Sequence, residues 1–222
     1  MEKVSILIDG SNFYHLVLKK LGLEEAQFDF ESFTVFLANG RIISDMGKRF
    51  YTGTVREKKG DARTKEAMAK QTTLFTALKH SNWEIRTSKL QTRIEKIPID
   101  NRVVGYENLL KLGVKQIEFS RLREKGIDVK LATDLIAGAI DNQYDTAIVI
   151  SSDSDLMPAI DWVRHRKGKK IEYIGFSISD GINPQNSTNP SLSLIAKTDI
   201  KRILIKSDLQ PFIRHSLFNG KI

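Results

Sequence analysis

The stretch Thr146-Ala147-Ile148-Val149-Ile150-Ser151-Ser152-Asp153-Ser154-Asp155-Leu156 decides the fold. Its unbroken run from Thr146 to Ile150 is the pattern of a strand buried on both faces of a sheet. The abrupt change to Ser and Asp places polar side chains where that strand ends. Working outward, Val129 to Ile140 carries Leu131, Ala132, Leu135, Ile136, Ala139 and Ile140 on one helical side. Downstream, Leu156 to Lys167 reads as a helix stopped by Gly168, and Lys170 to Phe176 as another strand. Helices alternating with buried strands predict a three-layer α/β/α fold with a mainly parallel central sheet.

The rest of the chain extends that order. Val4 to Ile8 is a second buried strand, Asn12 to Leu21 a helix stopped by Gly22, and Arg49 to Val55 a half-buried strand. Arg63 to Lys79 is a helix and Trp83 to Ser88 a short strand. Residues 91–126 read as a less regular elaboration, with Pro98, a helix near Tyr106 to Leu112 and a weak strand at Gln116 to Phe119. Residues 179–222 form a C-terminal extension: a loop over Ser179 to Ser193, then an edge strand and a last helix. The expectation is one domain over 1–222.

Composition narrows the function classes. The 222 residues are 41% hydrophobic and 28% charged, enough chain to bury a core without disulfide or metal staples. Zero cysteines exclude a thiol nucleophile and every Cys-based metal site, and suit a reducing cytosol. Apolar runs fall far short of the roughly 20 residues a membrane span needs, and no signal-peptide pattern precedes Asp9. The chain is expected to be cytoplasmic, with no membrane partner. Its net charge of +8 favours a polyanion without demanding one.

The chemistry gathers at strand ends. Asp9-Gly10-Ser11-Asn12 follows the first strand and Ser151-Ser152-Asp153-Ser154-Asp155 follows the Thr146 strand, so Asp9 and Asp153 share the carboxyl rim of the sheet, where open parallel sheets bind ligands. If Asp128, at the start of its helix, reaches the same rim, three or four carboxylates converge. A divalent cation offsets their mutual repulsion, and oxygen-only ligands select Mg²⁺ or Mn²⁺ over zinc. Such a site activates water and neutralises phosphoryl charge, the chemistry of phosphodiester hydrolysis.

Three blocks carry a family resemblance: Ile6-Leu7-Ile8-Asp9-Gly10-Ser11-Asn12-Phe13, Lys125-Gly126-Ile127-Asp128-Val129-Lys130-Leu131-Ala132-Thr133-Asp134 and Ser151-Ser152-Asp153-Ser154-Asp155-Leu156. Together they resemble the signature blocks of NYN domains in the PIN-like nuclease superfamily, and most of all the bacterial LabA/DUF88 branch. The resemblance implies a metal-dependent ribonuclease in which Asp9, Asp128, Asp153 and Asp155 bind or orient the metal and carry the catalysis. It implies positioning roles for Ser11, Asn12 and Ser152, with Asp134 as a fifth acid. Ser193 to Asp199 resembles the family's closing element, with Thr198 where a small apolar residue is usual; Ser152 stands where many members have Gly.

Each residue also has a structural reading. Asp128 fits a helix N-cap, Ser152 with Asp155 fits a capping box, Asp9 to Asn12 fits a turn, and Asp134 fits a surface pair with Lys130. His15, His80, His165 and His215 show no ligand spacing. For RNA contact, Arg56, Lys58, Lys59 and Arg63 follow a strand and should overhang the rim, joined by Lys130. Arg164 to Lys170 sits at a helix C-terminus and reads as helix-end stabilisation. Adhesion-type, haloacid-dehalogenase-like, P-loop and Toprim-like sites each miss a required residue: Phe13 and Ser11 occupy two key positions, no Gly-Lys-Ser/Thr occurs, and Asp9 stands where Toprim expects Glu. The leading expectation is RNA hydrolysis with Mg²⁺ or Mn²⁺. Its rivals are a non-catalytic RNA-binding or regulatory module and a small-phosphate phosphatase. Monomer or homodimer is left open.

Overall fold

The computed structural model describes residues 1–57, 60–124, 126–180 and 183–214. Within them a seven-stranded sheet runs in the order β4-β3-β2-β1-β5-β6-β7. The strands are β1 (Lys3–Asp9), β2 (Ile42–Thr54), β3 (Glu84–Pro98), β4 (Gln116–Glu124), β5 (Thr146–Ile150), β6 (Lys170–Ser177) and β7 (Ile200–Ile205). All pairs are parallel except β3 with β4. The chain builds outward from β1 through β2 and β3 on one side, and through β5, β6 and β7 on the other. The order therefore reverses between β1 and β5, and the crevice beyond their carboxyl ends is the binding position of an open α/β sheet.

β1 shows why the fold holds this centre. Val4, Ile6 and Ile8 enter the core on one face and Leu7 enters the core on the other. The first core is rich in aromatic rings, with Phe13, Phe28, Phe30 and Phe33 meeting at centroid distances of 5.1–5.8 Å. The second joins Leu7 and Tyr51 to Leu131 and Leu135 of the Ile127–Ile140 helix, and to Ile160 and Val163 of the Met157–Lys167 helix.

Several boundaries differ from the sequence reading. The first helical segment begins at Gly10 rather than Asn12, with a π segment over Tyr14–Leu18. An unforeseen helix, Phe30–Ala38, is capped by the Asp29 carboxylate and buries Phe30, Phe33 and Leu37 at helical spacing. β2 starts at Ile42 instead of Arg49, its register against β1 broken between Val4 and Ile6. The largest difference is residues 91–126. β3 does not stop at Ser88 but continues to Pro98, and from Leu90 onward pairs with β4 alone, forming a two-stranded arm that bears the Tyr106–Lys111 helix. Among the described residues, the C-terminal part carries the expected edge strand β7 and short helix Lys206–Leu209, together with a helix over Leu192–Lys197 that the sequence reading did not give and a 3-10 turn over Gln210–Phe212.

Candidate metal and nuclease site

Local capping chemistry assembles the cleft. Asp9 ends β1, is 6% exposed, and its Oδ1 accepts the Asn12 amide at 2.9 Å, capping the helix that follows. Gly10 is needed there: a Cβ would sit 2.3 Å from the Phe50 ring and 3.0 Å from the Tyr51 carbonyl. Asn12 ties the first block to the third, because its Oδ1 accepts from both the amide and the hydroxyl of Ser152, each at 3.1 Å. Ser151 adds a second link, 3.4 Å from Asp9 Oδ2, and its Oγ accepts the Asp153 amide at 3.1 Å. The loop after β5 is thereby fixed against the helix start after β1.

Asp9, Ser11, Asn12, His15, Leu16, Ile127, Asp128 and Ser152 line a cleft of about 340 Å³ at this place. Asp128 does not cap its helix. Gly126, with a φ of +79°, holds the N-cap position, and Asp128 lies in the first turn on the cleft wall. Desolvation, reinforced by the negative charges of Asp153 and Asp155, raises the Asp128 carboxyl above the ordinary aspartate range. Nor do Ser152 and Asp155 form a capping box; Asp153 caps the turn Ser154–Leu156, its Oδ1 accepting the Asp155 amide at 2.9 Å.

The acids therefore meet in part. Asp9 and Asp128 share the cleft, and Asp153 and Asp155 act on Asp128 electrostatically. The expectation of one ready-made cluster is not met: among the described residues, no three His, Asp or Glu side chains stand together as a cation cage. Asp9 and Asp153 each give one oxygen to capping a backbone amide. The donor chemistry still fits a hard cation, since these acids supply oxygen only and a divalent ion would relieve the repulsion that raises Asp128.

The other predicted residues fall elsewhere. Asp134 neither enters the cleft nor pairs with Lys130. Its Oδ2 accepts the Tyr51 hydroxyl at 2.9 Å and lies 3.3 Å from Arg86 Nε. Burial and this carboxylate hold the Tyr51 phenol far above its usual range. Lys130 Nζ donates to the Thr87 carbonyl near the rim end of β3. Arg56 and Arg63 are exposed after β2, Arg63 lying 3.7 Å from Asp61; Lys58 and Lys59 lie outside the described residues, as does His215. His15, which the sequence reading set aside for lack of ligand spacing, and Leu16 line the cleft; they follow Asn12 by three and four positions, the spacing that shares a helical face.

The NYN domain family profile matches residues 3–201. The chain belongs to the NYN domain family. This NYN domain has a nuclease-like fold, and the three blocks that line its cleft lie inside the matched region. A solved structure of a protein of unknown function from Vibrio parahaemolyticus is similar over 94% of this chain and 95% of that one, with a TM-score of 0.53 and 19% identity. That likeness shows the α/β fold. No curated protein matches the chain. Among the described residues, no helix is long and apolar enough to cross a membrane.

Proposed function

We propose that this NYN domain hydrolyses RNA phosphodiester bonds with Mg²⁺ or Mn²⁺ in the cleft between β1 and β5. The observation that carries the reading is Asp9 and Asp128 on one cleft at the sheet's switch point, with Asp128 raised by burial and by two further acids. Asp9, Asp128 and Asp153 would hold the cation, with Asp155 orienting water around it. When bound, it supplies Lewis acidity toward water and toward the phosphoryl oxygens. Asp128, on the cleft wall with Asp9, would complete the oxygen shell of the cation, which would offset the desolvation and repulsion its carboxylate meets there. Ser11, Asn12 and Ser152 position the loop and the phosphate. Arg56, Arg63 and Lys130 offer cations for backbone phosphates near the rim.

A second reading, a non-catalytic RNA-binding module, draws support from Asp9 and Asp153, each of which already accepts a backbone amide. Incubating the protein with labelled single-stranded and hairpin RNA plus Mn²⁺ separates the two. Cleavage that disappears with EDTA and in Asp9→Asn supports hydrolysis. Cleavage surviving both controls, or turnover of a generic phosphomonoester with indifference to RNA, contradicts it; binding without cleavage favours the second reading.

A further inference from the structure

The arm formed by Leu90–Pro98 of β3 and β4 is unlike the rest of the molecule. Because β3 is parallel to β1, the arm leaves from the carboxyl rim, and β4 leads back to Gly126, two residues before Asp128 of the cleft. At about 3.3 Å per residue it reaches roughly 30 Å beyond the last β2 partner. A two-stranded ribbon has no second layer to bury against and is marginal alone, and the helix it bears buries no residue.

Cross-strand partners share a face, so the register sorts the side chains. One face carries Lys96 opposite Glu118, an ion pair at 2.7 Å that neutralises itself. The other carries Arg93 opposite Arg121, Glu95 opposite Phe119 and Ile97 opposite Ile117. Directly opposed like charges destabilise a ribbon. Arg121 has Glu95 at 3.7 Å, whereas no ion pair joins Arg93 to an acid among the described residues. Beside these cations, Phe119 is 37% exposed and Ile97 and Ile117 are 41% and 43% exposed. An uncompensated guanidinium, that of Arg93, beside a second arginine and an exposed ring is a combination that holds single-stranded nucleic acid, phosphates on the cations and a base on the ring.

We propose that the Arg93–Arg121–Phe119 face of the arm is a track for single-stranded RNA leading to the cleft, which rests on the RNA reading above. The track binds without cutting, so its test is kept apart from cleavage. Anisotropy of labelled single-stranded RNA is measured in EDTA across a salt series, with folding checked by circular dichroism and mass by light scattering. Wild type binds. Arg93→Ala with Arg121→Ala weakens binding at least about tenfold and lowers the magnitude of the salt slope by about 1.4. Phe119→Ala weakens it at least about fivefold with little change of slope. Lys96→Ala, on the other face, leaves it within about twofold.

Undiminished binding by the folded arm variants overturns the track and leaves the RNA reading standing. Absence of binding by wild type overturns the track, and the cleavage assay in Mn²⁺ decides the RNA reading separately. A wild-type dimer that becomes monomeric in Phe119→Ala overturns the track in favour of self-association.

Discussion

The two ends of the same sheet treat their acids in opposite ways. At the amino end, Glu172 is 1% exposed on β6 and lies 2.7 Å from Arg41 and 2.5 Å from Arg202. Both contacts are ion pairs in distance, although neither Arg41 to Glu172 Oε2 nor Arg202 Nε to Glu172 Oε1 is aligned as a hydrogen bond. Asp199 is gripped by Arg164 at 2.7 Å, and its Oδ2 accepts the Ile171 amide. Asp145 accepts the Lys3 amide and faces Lys169. At the carboxyl end, among the described residues, Asp128, Asp153 and Asp155 have no Lys, Arg or His ion pair, and Asp128 feels the other two as repulsion. Acids that serve the fold are neutralised within the chain. Asp128, Asp153 and Asp155 at the rim have no such cation among the described residues.

Breaking the amino end gives the largest expected effect. Glu172→Ala leaves the Arg41 and Arg202 cations without their shared anion and costs about 3–5 kcal/mol in urea unfolding. RNA cleavage per folded molecule is unchanged. At the carboxyl end the pattern inverts: Asp9→Asn lowers the cleavage rate by about 10²-fold or more while the unfolding midpoint moves little. A variant set in which both ends lose stability and keep activity would erase the contrast.

Acid titration sharpens it at smaller amplitude. The Asp199 carboxyl is lowered: burial opposes this, but the Arg164 bonds and the Ile171 amide win. Asp145 is lowered by the Lys3 amide first and by Lys169 besides, against desolvation. These groups add stability that is present above the ordinary aspartate pKa and fades as pH falls through their depressed values. Asp128, raised by desolvation and by Asp153 and Asp155, has the opposite sign. Its ionisation costs stability as pH rises from the ordinary range through its own elevated value. Asp128→Asn is therefore neutral in acid and stabilising at pH 7 by under about 1 kcal/mol, while Asp199→Asn is destabilising at pH 7 and converges with wild type in acid. Denaturation curves of both at several pH values check the signs.

Legibility in the sequence followed burial. β5, β1 and β6 were readable because strands covered on both faces must be apolar throughout. The arm hid for the converse reason: Arg93-Ile94-Glu95-Lys96-Ile97 has solvent on both faces, so no core imposes an alternation. The first half of β2 hid behind its broken register against β1. At the site, Asp9 and Asp153 were placed by their position after strands. The alternative of Asp128 as an N-cap does not hold, because Gly126, in the left-handed region, takes the cap position two residues earlier. Asp134 was read against its helical neighbour Lys130, but its partners Tyr51 and Arg86 come from β2 and β3, which spacing along one helix does not reveal.

Mn²⁺ titration of the metal-free protein, by calorimetry on wild type, Asp9→Asn and Asp128→Asn, tests the central claim most directly. The account predicts saturable binding by wild type that falls at least about tenfold in each variant and weakens as pH drops through the Asp128 titration. Equal binding by all three proteins, or no binding by wild type, would contradict it.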